Sequence, residues 1–114
     1  MFTLSRQHLA QIIAAAHVRE LEIVEGGRGL ARSTWARAQL LAILDALDGD
    51  DLIELVALAW IGRGDFEWSE WPRAVAQSRN LISTRPAEYL ADLPGFPYYL
   101  QSALASLGDT FAEN

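Results

Sequence analysis

Between Leu52 and Ile61 nine of ten residues are apolar, with Glu54 the one interruption. Asp50 and Asp51 stand just before this run, and Gly62 and Gly64 just after it. Two carboxylates suit the positive end of a helix dipole, and glycine suits a helix end, so the segment reads as one helix. A helix that is apolar all round has no face to offer water. The run is about half the roughly 20 residues a bilayer span needs. It must therefore pass through the centre of a folded domain, with other elements wrapped around it.

Helical spacing recurs on both sides of it, and strand-like alternation barely appears. Ser5 is placed to cap a first helix with Leu9, Ile12, Ile13 and Ala16 on its apolar face. Leu21-Glu22-Ile23 reads either as extended chain or as a last turn. Gly26-Gly27-Arg28-Gly29 is a flexible break. It opens the one candidate linker, Gly26 to Arg32, which is too short to separate two domains. Ser33 or Thr34 is then expected to cap a second helix with Leu40, Ile43, Leu44 and Leu47 inward and Gly49 just past its end.

Ser69 is expected to cap a fourth helix with Pro72 in its first turn. Trp71, Ala74, Val75 and Ser78 share its inner face, continued by Leu81 or Ile82. Pro86 begins a short fifth helix bearing Ala87, Leu90 and Leu93. Pro94-Gly95-Phe96-Pro97 is a rigid turn, and a sixth helix from about Pro97 carries Leu100, Ala103, Leu104 and Leu107. The expected fold is all-α: a compact single-domain bundle, residues 1–114, of five or six short helices around a buried central one.

The chain has 114 residues and no cysteine, so disulfides, zinc–thiolate sites and cysteine nucleophiles are excluded. Its first residues lack the basic-then-apolar pattern of a secretory signal, and a cytoplasmic location is expected. The net charge is -6, with nine arginines and no lysine. Residues 1–44 hold five arginines against three glutamates; residues 45–114 hold four against twelve carboxylates. Phosphate backbones are bound by Lys and Arg, so nucleic acid is an unfavoured partner.

The run Glu54-Leu55-Val56-Ala57-Leu58-Ala59-Trp60-Ile61-Gly62-Arg63-Gly64-Asp65-Phe66, followed by Glu70-Trp71, resembles the signature of an uncharacterised bacterial family, domain-of-unknown-function number three-seven-seven-five. Glu88-Tyr89-Leu90, Tyr99-Leu100, the stretch Leu104 to Gly108, Leu4-Ser5 and Ile12-Ile13 extend the likeness. The chain departs from it in a short Gly-Arg-rich link after the first helix and in Pro72. The resemblance implies a small bacterial helical protein. It supplies no catalytic residue.

Gly62 to Trp71 is the densest chemistry in the sequence. One reading makes it a ligand or partner edge, with Arg63 clamping an anion and aromatics as anchors. The plainer reading, which we favour, is a demanding turn: Gly62 and Gly64 in left-handed conformations, Asp65 capping a helix start, and Arg63 paired with a nearby carboxylate. A calcium loop would need oxygen ligands at alternating positions and a terminal bidentate glutamate; Arg63 spoils that pattern. Arg63-Gly64-Asp65 spells an adhesion tripeptide, but with no secretory signal expected it is discounted. His8 and His17 lack the i, i+4 spacing of a helical zinc site.

Asp45, Asp48, Asp50, Asp51 and Glu54 read as two helix ends meeting rather than a cation site. Arg28, Arg32 and Arg37, with Ser33 and Thr34, could open a recognition helix, but the acidity of the chain opposes it. No nucleophile–base pair, P-loop or dinucleotide fingerprint is present.

No catalytic residue, metal ligand or cofactor is therefore assigned. By elimination the chain is expected to be a non-catalytic interaction or regulatory module, binding an unknown protein or itself as a homodimer. Arg63, Asp65, Phe66, Trp68, Tyr98 and Tyr99 are the candidate interaction residues. Phe66, Trp68, Tyr98 and Tyr99 fall outside the main apolar stripes and are expected to be exposed. The competing expectation is a small-molecule binder or enzyme with a pocket near Arg63, Asp65 and Glu70.

Overall fold

The computed structural model describes residues 4–25, 30–81 and 85–111, with side chains for 4–21, 35–80 and 85–106. Among the described residues six α-helices follow one another: α1 (Arg6–Glu25), α2 (Leu30–Asp45), α3 (Gly49–Arg63), α4 (Trp71–Leu81), α5 (Pro86–Ala91) and α6 (Phe96–Phe111). A 3₁₀ turn, Trp68–Glu70, leads into α4. The described residues contain no strand, and the bundle is all-α.

The apolar run lies in α3, as its composition requires. Leu52, Ile53, Leu55, Val56, Ala57, Leu58, Ala59 and Ile61 are all buried. The helix packs most extensively on α6, then on α4 and α5, while α1 packs on α2 and α6. Leu9 and Ile12 of α1, Leu40 and Leu44 of α2, Leu90 of α5, and Phe96 and Leu100 of α6 join the α3 residues in one continuous core. Only Glu54 and Trp60 on this run keep part of their surface exposed.

Several element ends differ from the sequence expectation, each for a local reason. Ser5 does cap α1, its Oγ accepting the backbone N–H of His8 at 3.1 Å. Leu21-Glu22-Ile23 is helical backbone, because α1 runs on to Glu25. Gly26-Gly27-Arg28-Gly29 and Ile82 lie outside the described residues. Ser33 and Thr34 are inside α2 rather than at its start, because the helix begins at Leu30. Gly49 is the first residue of α3, not the stop of α2, which ends at Asp45.

Ser69 does not cap α4. It sits within the 3₁₀ turn, and the capping role falls to a reciprocal pair of glutamates: the Glu67 side chain accepts a turn N–H, and Glu70 accepts the Glu67 N–H at 3.0 Å. Asp65 caps no helix either. Of the two glycines at the end of α3, only Gly64 is left-handed, at φ 98°. Gly62 is helical and serves a different purpose. A Cβ there would lie 1.7 Å from the Tyr99 carbonyl oxygen, so the missing side chain lets the α6 backbone seat against α3.

Candidate functional site

The Gly62–Trp71 segment folds on itself. Arg63 Nε donates to Asp65 Oδ2 at 2.9 Å, and a terminal guanidinium nitrogen reaches the same oxygen. That hydrogen bond raises the Arg63 pKa further above its ordinary value, with partial burial opposing it. Glu70 receives the Glu67 N–H and approaches Arg73 at 3.4 Å. The charged groups of the segment are thus engaged with one another at the surface. Of the plainer expectation, the pairing of Arg63 with a nearby carboxylate is present, as Arg63–Asp65.

The aromatics expected to be exposed are mostly not. Phe66 is half-buried, its ring stacked near Trp60 at a centroid distance of 6.0 Å. Trp68 is half-buried against Trp71 at 5.6 Å, with its indole N–H buried and without a hydrogen-bond partner. Tyr99 is half-buried because α6 presses it on two glycines. Its backbone covers Gly62, and its ring lies over Gly95, where a Cβ would meet it at 2.9 Å. Of the four, only Tyr98 stands out into solvent. Short helices and turns carry core residues outside their main helical face, so aromatics that lie off the apolar stripes are still covered.

Polar anchors that the sequence did not reveal tie distant elements together. Asp92, just after α5, accepts Arg37 of α2 through both carboxylate oxygens at 2.7 and 3.0 Å, and Arg19 of α1 at 3.1 Å. The hydrogen bond from Arg37, aided by Arg19, holds the Asp92 pKa below the usual carboxylate value, against partial desolvation. Glu20 is buried, and its carboxylate accepts the Gly95 N–H at 2.9 Å, bracing the turn before α6. Trp60 Nε1 donates to the Tyr89 hydroxyl at 3.0 Å. Arg37, weighed above as a phosphate contact, is engaged by Asp92. Arg28 lies outside the described residues, as do the side chains of Arg32, Ser33 and Thr34.

Two surface features remain. The first is apolar. Leu21 (60%) and Val18 on α1, Trp35 (59%) on α2, and Tyr98 on α6 are large hydrophobic side chains exposed to solvent. Val18 and Leu21 are one turn apart, and the Tyr98 ring meets His17 edge-on at 5.1 Å, so α1 and α6 share this surface. His17 also bonds Gln101 at 3.1 Å. Leu21 and Trp35 lie toward the same end of the α1–α2 pair, four residues before α1 stops and five after α2 starts.

The second is a groove of about 510 Å³ between α1, α2 and the start of α3. Its apolar lining is Ala42, Ile43, Ala46 and Leu47, with the fully buried Ile12 beneath them. Its polar lining is His8, Gln11, Gln39, Asp48 and Asp51, with no arginine among the lining residues. Among the described residues, no group of three or more His, Cys, Asp or Glu side chains could hold a metal ion. The acidic cluster around Gly49 is in part engaged elsewhere, Asp50 approaching Arg79 at 3.4 Å.

The model of one family, described as Protein of unknown function (DUF3775), matches residues 37–108, well over half of the chain. The chain belongs to this family. The DUF3775 match runs from the middle of α2 into α6, and it contains the Glu54–Phe66 run, Glu70-Trp71, Glu88-Tyr89-Leu90 and Tyr99-Leu100. The first helix lies outside it, and with it Val18, Leu21 and the α1 side of the groove. No curated protein and no solved structure matches the chain. Among the described residues no helix is long and apolar enough to cross a membrane.

Proposed function

We propose that this DUF3775 protein is a bacterial, cytoplasmic, single-domain interaction module without catalysis. It acts by docking a partner protein or a second copy of itself. The observation that carries the reading is the placement of Leu21, Trp35, Val18 and Tyr98 in solvent, the exposed large hydrophobic side chains among the described residues. Exposed Trp and Tyr are the residue types that interface hot spots favour. The charged groups support the same reading. Arg63 pairs with Asp65, and Arg37 and Arg19 pair with Asp92, so these charged groups are engaged in holding the fold together. Nucleic acid is a poor partner for a net charge of -6.

Self-association is the form testable with the chain alone. Sedimentation velocity over a wide concentration range should give a reversible monomer–dimer equilibrium. Trp35→Ser should weaken it about tenfold or more without lowering the thermal midpoint. A photo-crosslinking residue at position 35 tests the other form, with position 67 as the control. A strict monomer, with no position-35-specific crosslink in the native cell, would refute the interaction reading.

A further inference from the structure

Trp35 and the groove between α1 and α2 lie on one face of the molecule. At 100° per residue, Trp35, Gln39, Ala42 and Ala46 fall within about 60° of one another around α2, and all four are exposed. On α1, Gln11, Ala14 and Val18 share an arc of about the same width and are exposed as well. None of these exposed side chains carries a charge, so two copies at a net charge of -6 each meet here with least repulsion. The groove joins the start of α1 to the end of α2, so the two helices run antiparallel. The face therefore has a large apolar side chain at one end and a groove of about 510 Å³ at the other. Ala42 and Ala46 leave the groove open, and Ile43 and Leu47 give it half-buried aliphatic walls. The amide oxygens of Gln11 and Gln39 are able to accept an indole N–H.

We propose that the occupant of the groove is Trp35 of a second copy of this chain, in an antiparallel two-fold dimer. The proposal rests on the interaction reading above and names its partner. The spacing is self-complementary: Gln39 lies four residues after Trp35, and Ala42 and Ile43 lie three and four residues after Gln39. A two-fold axis beside Gln39 lays each Trp35 over Ala42 and Ile43 of the other copy. Both grooves are then filled, and association closes at two. The groove volume is within the roughly 300–1,000 Å³ of sites that hold compact ligands, which suits an indole. The face is about 17 Å long from Trp35 to Ala46 and about 20 Å wide across two helices. That is less than the roughly 800 Å² per partner of a standard interface, so the dimer is weak and reversible, with Kd roughly 10 μM to 1 mM.

The test uses the full chain. On dilution of the ¹⁵N-labelled protein from about 1 mM, the amides of Gln11, Gln39, Ala42 and Ala46 should shift in step with the monomer–dimer equilibrium. Trp35→Ser removes the inserted side chain and Ala42→Phe fills the groove. Each should weaken dimerisation about tenfold or more with the circular-dichroism melting curve unchanged. Each variant keeps the half that the other has lost, so mixing the two should give a heterodimer several-fold tighter than either homodimer. Because the chain has no cysteine, Gln39→Cys puts one thiol per copy beside the axis. It should oxidise in air to a disulfide-linked dimer much faster than Gln77→Cys, at an exposed position on α4. Dimerisation of Ala42→Phe at wild-type strength, no gain on mixing, or equal crosslinking at positions 39 and 77 would overturn the groove contact. A chain that stays monomeric at about 1 mM while position 35 crosslinks to a different protein in the cell would overturn the second copy and leave the interaction reading standing. Absence of both the dimer and the position-35 crosslink would remove both.

Discussion

Gly62 and Gly64 look equivalent in the sequence and do different work in the fold. At Gly62 the constraint is space, since a Cβ would overlap the Tyr99 carbonyl. At Gly64 it is backbone conformation, with φ at 98° and open space around the missing side chain. Gly62→Ala should therefore force α3 and α6 apart and cost about 3 kcal/mol or more. Gly64→Ala should cost about 1 kcal/mol. Urea denaturation of the two variants checks the order, and equal costs would refute the close approach of the two helices. Trp60 offers a second contrast. Trp60→Ala should cost about 3–5 kcal/mol through lost contact with Phe66 and the core. Tyr89→Phe removes only the hydroxyl that receives the indole N–H and should cost about 1 kcal/mol.

At the scale of elements, Asp92 is the joint that fastens α1 and α2 to the end of α5. Because Arg37 and Arg19 lower its pKa in the folded state, the folded chain binds this proton less readily than the unfolded one. The stabilisation from this group is therefore complete above the ordinary carboxylate value of 3.8 and is lost as the pH falls through the lower folded value. Asp92→Asn should lower stability at pH 7, and the gap between it and the wild type should close as the medium is acidified below that range. Chemical denaturation at a series of pH values measures this; a gap that widens in acid would exclude the assignment. The glutamate pair before α4 acts on the same scale. It replaces the serine cap that the sequence suggested with two side chains three residues apart, which satisfy each other's turn.

For the whole molecule, the wrapped α3 organises everything else. Its run of apolar residues demanded neighbours on every side, and α4, α5 and α6 supply them, with α1 and α2 completing the same core. The bundle then exposes Leu21, Trp35, Val18 and Tyr98 on one set of helices and forms the acidic-ended groove on another part of α1 and α2. The candidate residues of the Gly62–Trp71 segment are mostly occupied with the turn itself. Tyr98 alone of the expected aromatics joins the exposed surface.

The all-α class, the central position of Leu52–Ile61, the Ser5 cap, the Pro72 and Pro86 helix starts and the family resemblance were all determined by the sequence. They rest on local spacing, composition and motif, which a linear chain carries within a few turns. Which aromatics reach solvent was decided only by tertiary packing, because burial depends on what a distant helix lays over a side chain, as α6 lays Tyr99 over Gly62 and Gly95. The Arg19–Asp92–Arg37 joint, the Glu20–Gly95 brace and the groove from His8 to Asp51 likewise join residues tens of positions apart. No periodicity encodes such pairings, so they came into view only once the helices had been placed against one another.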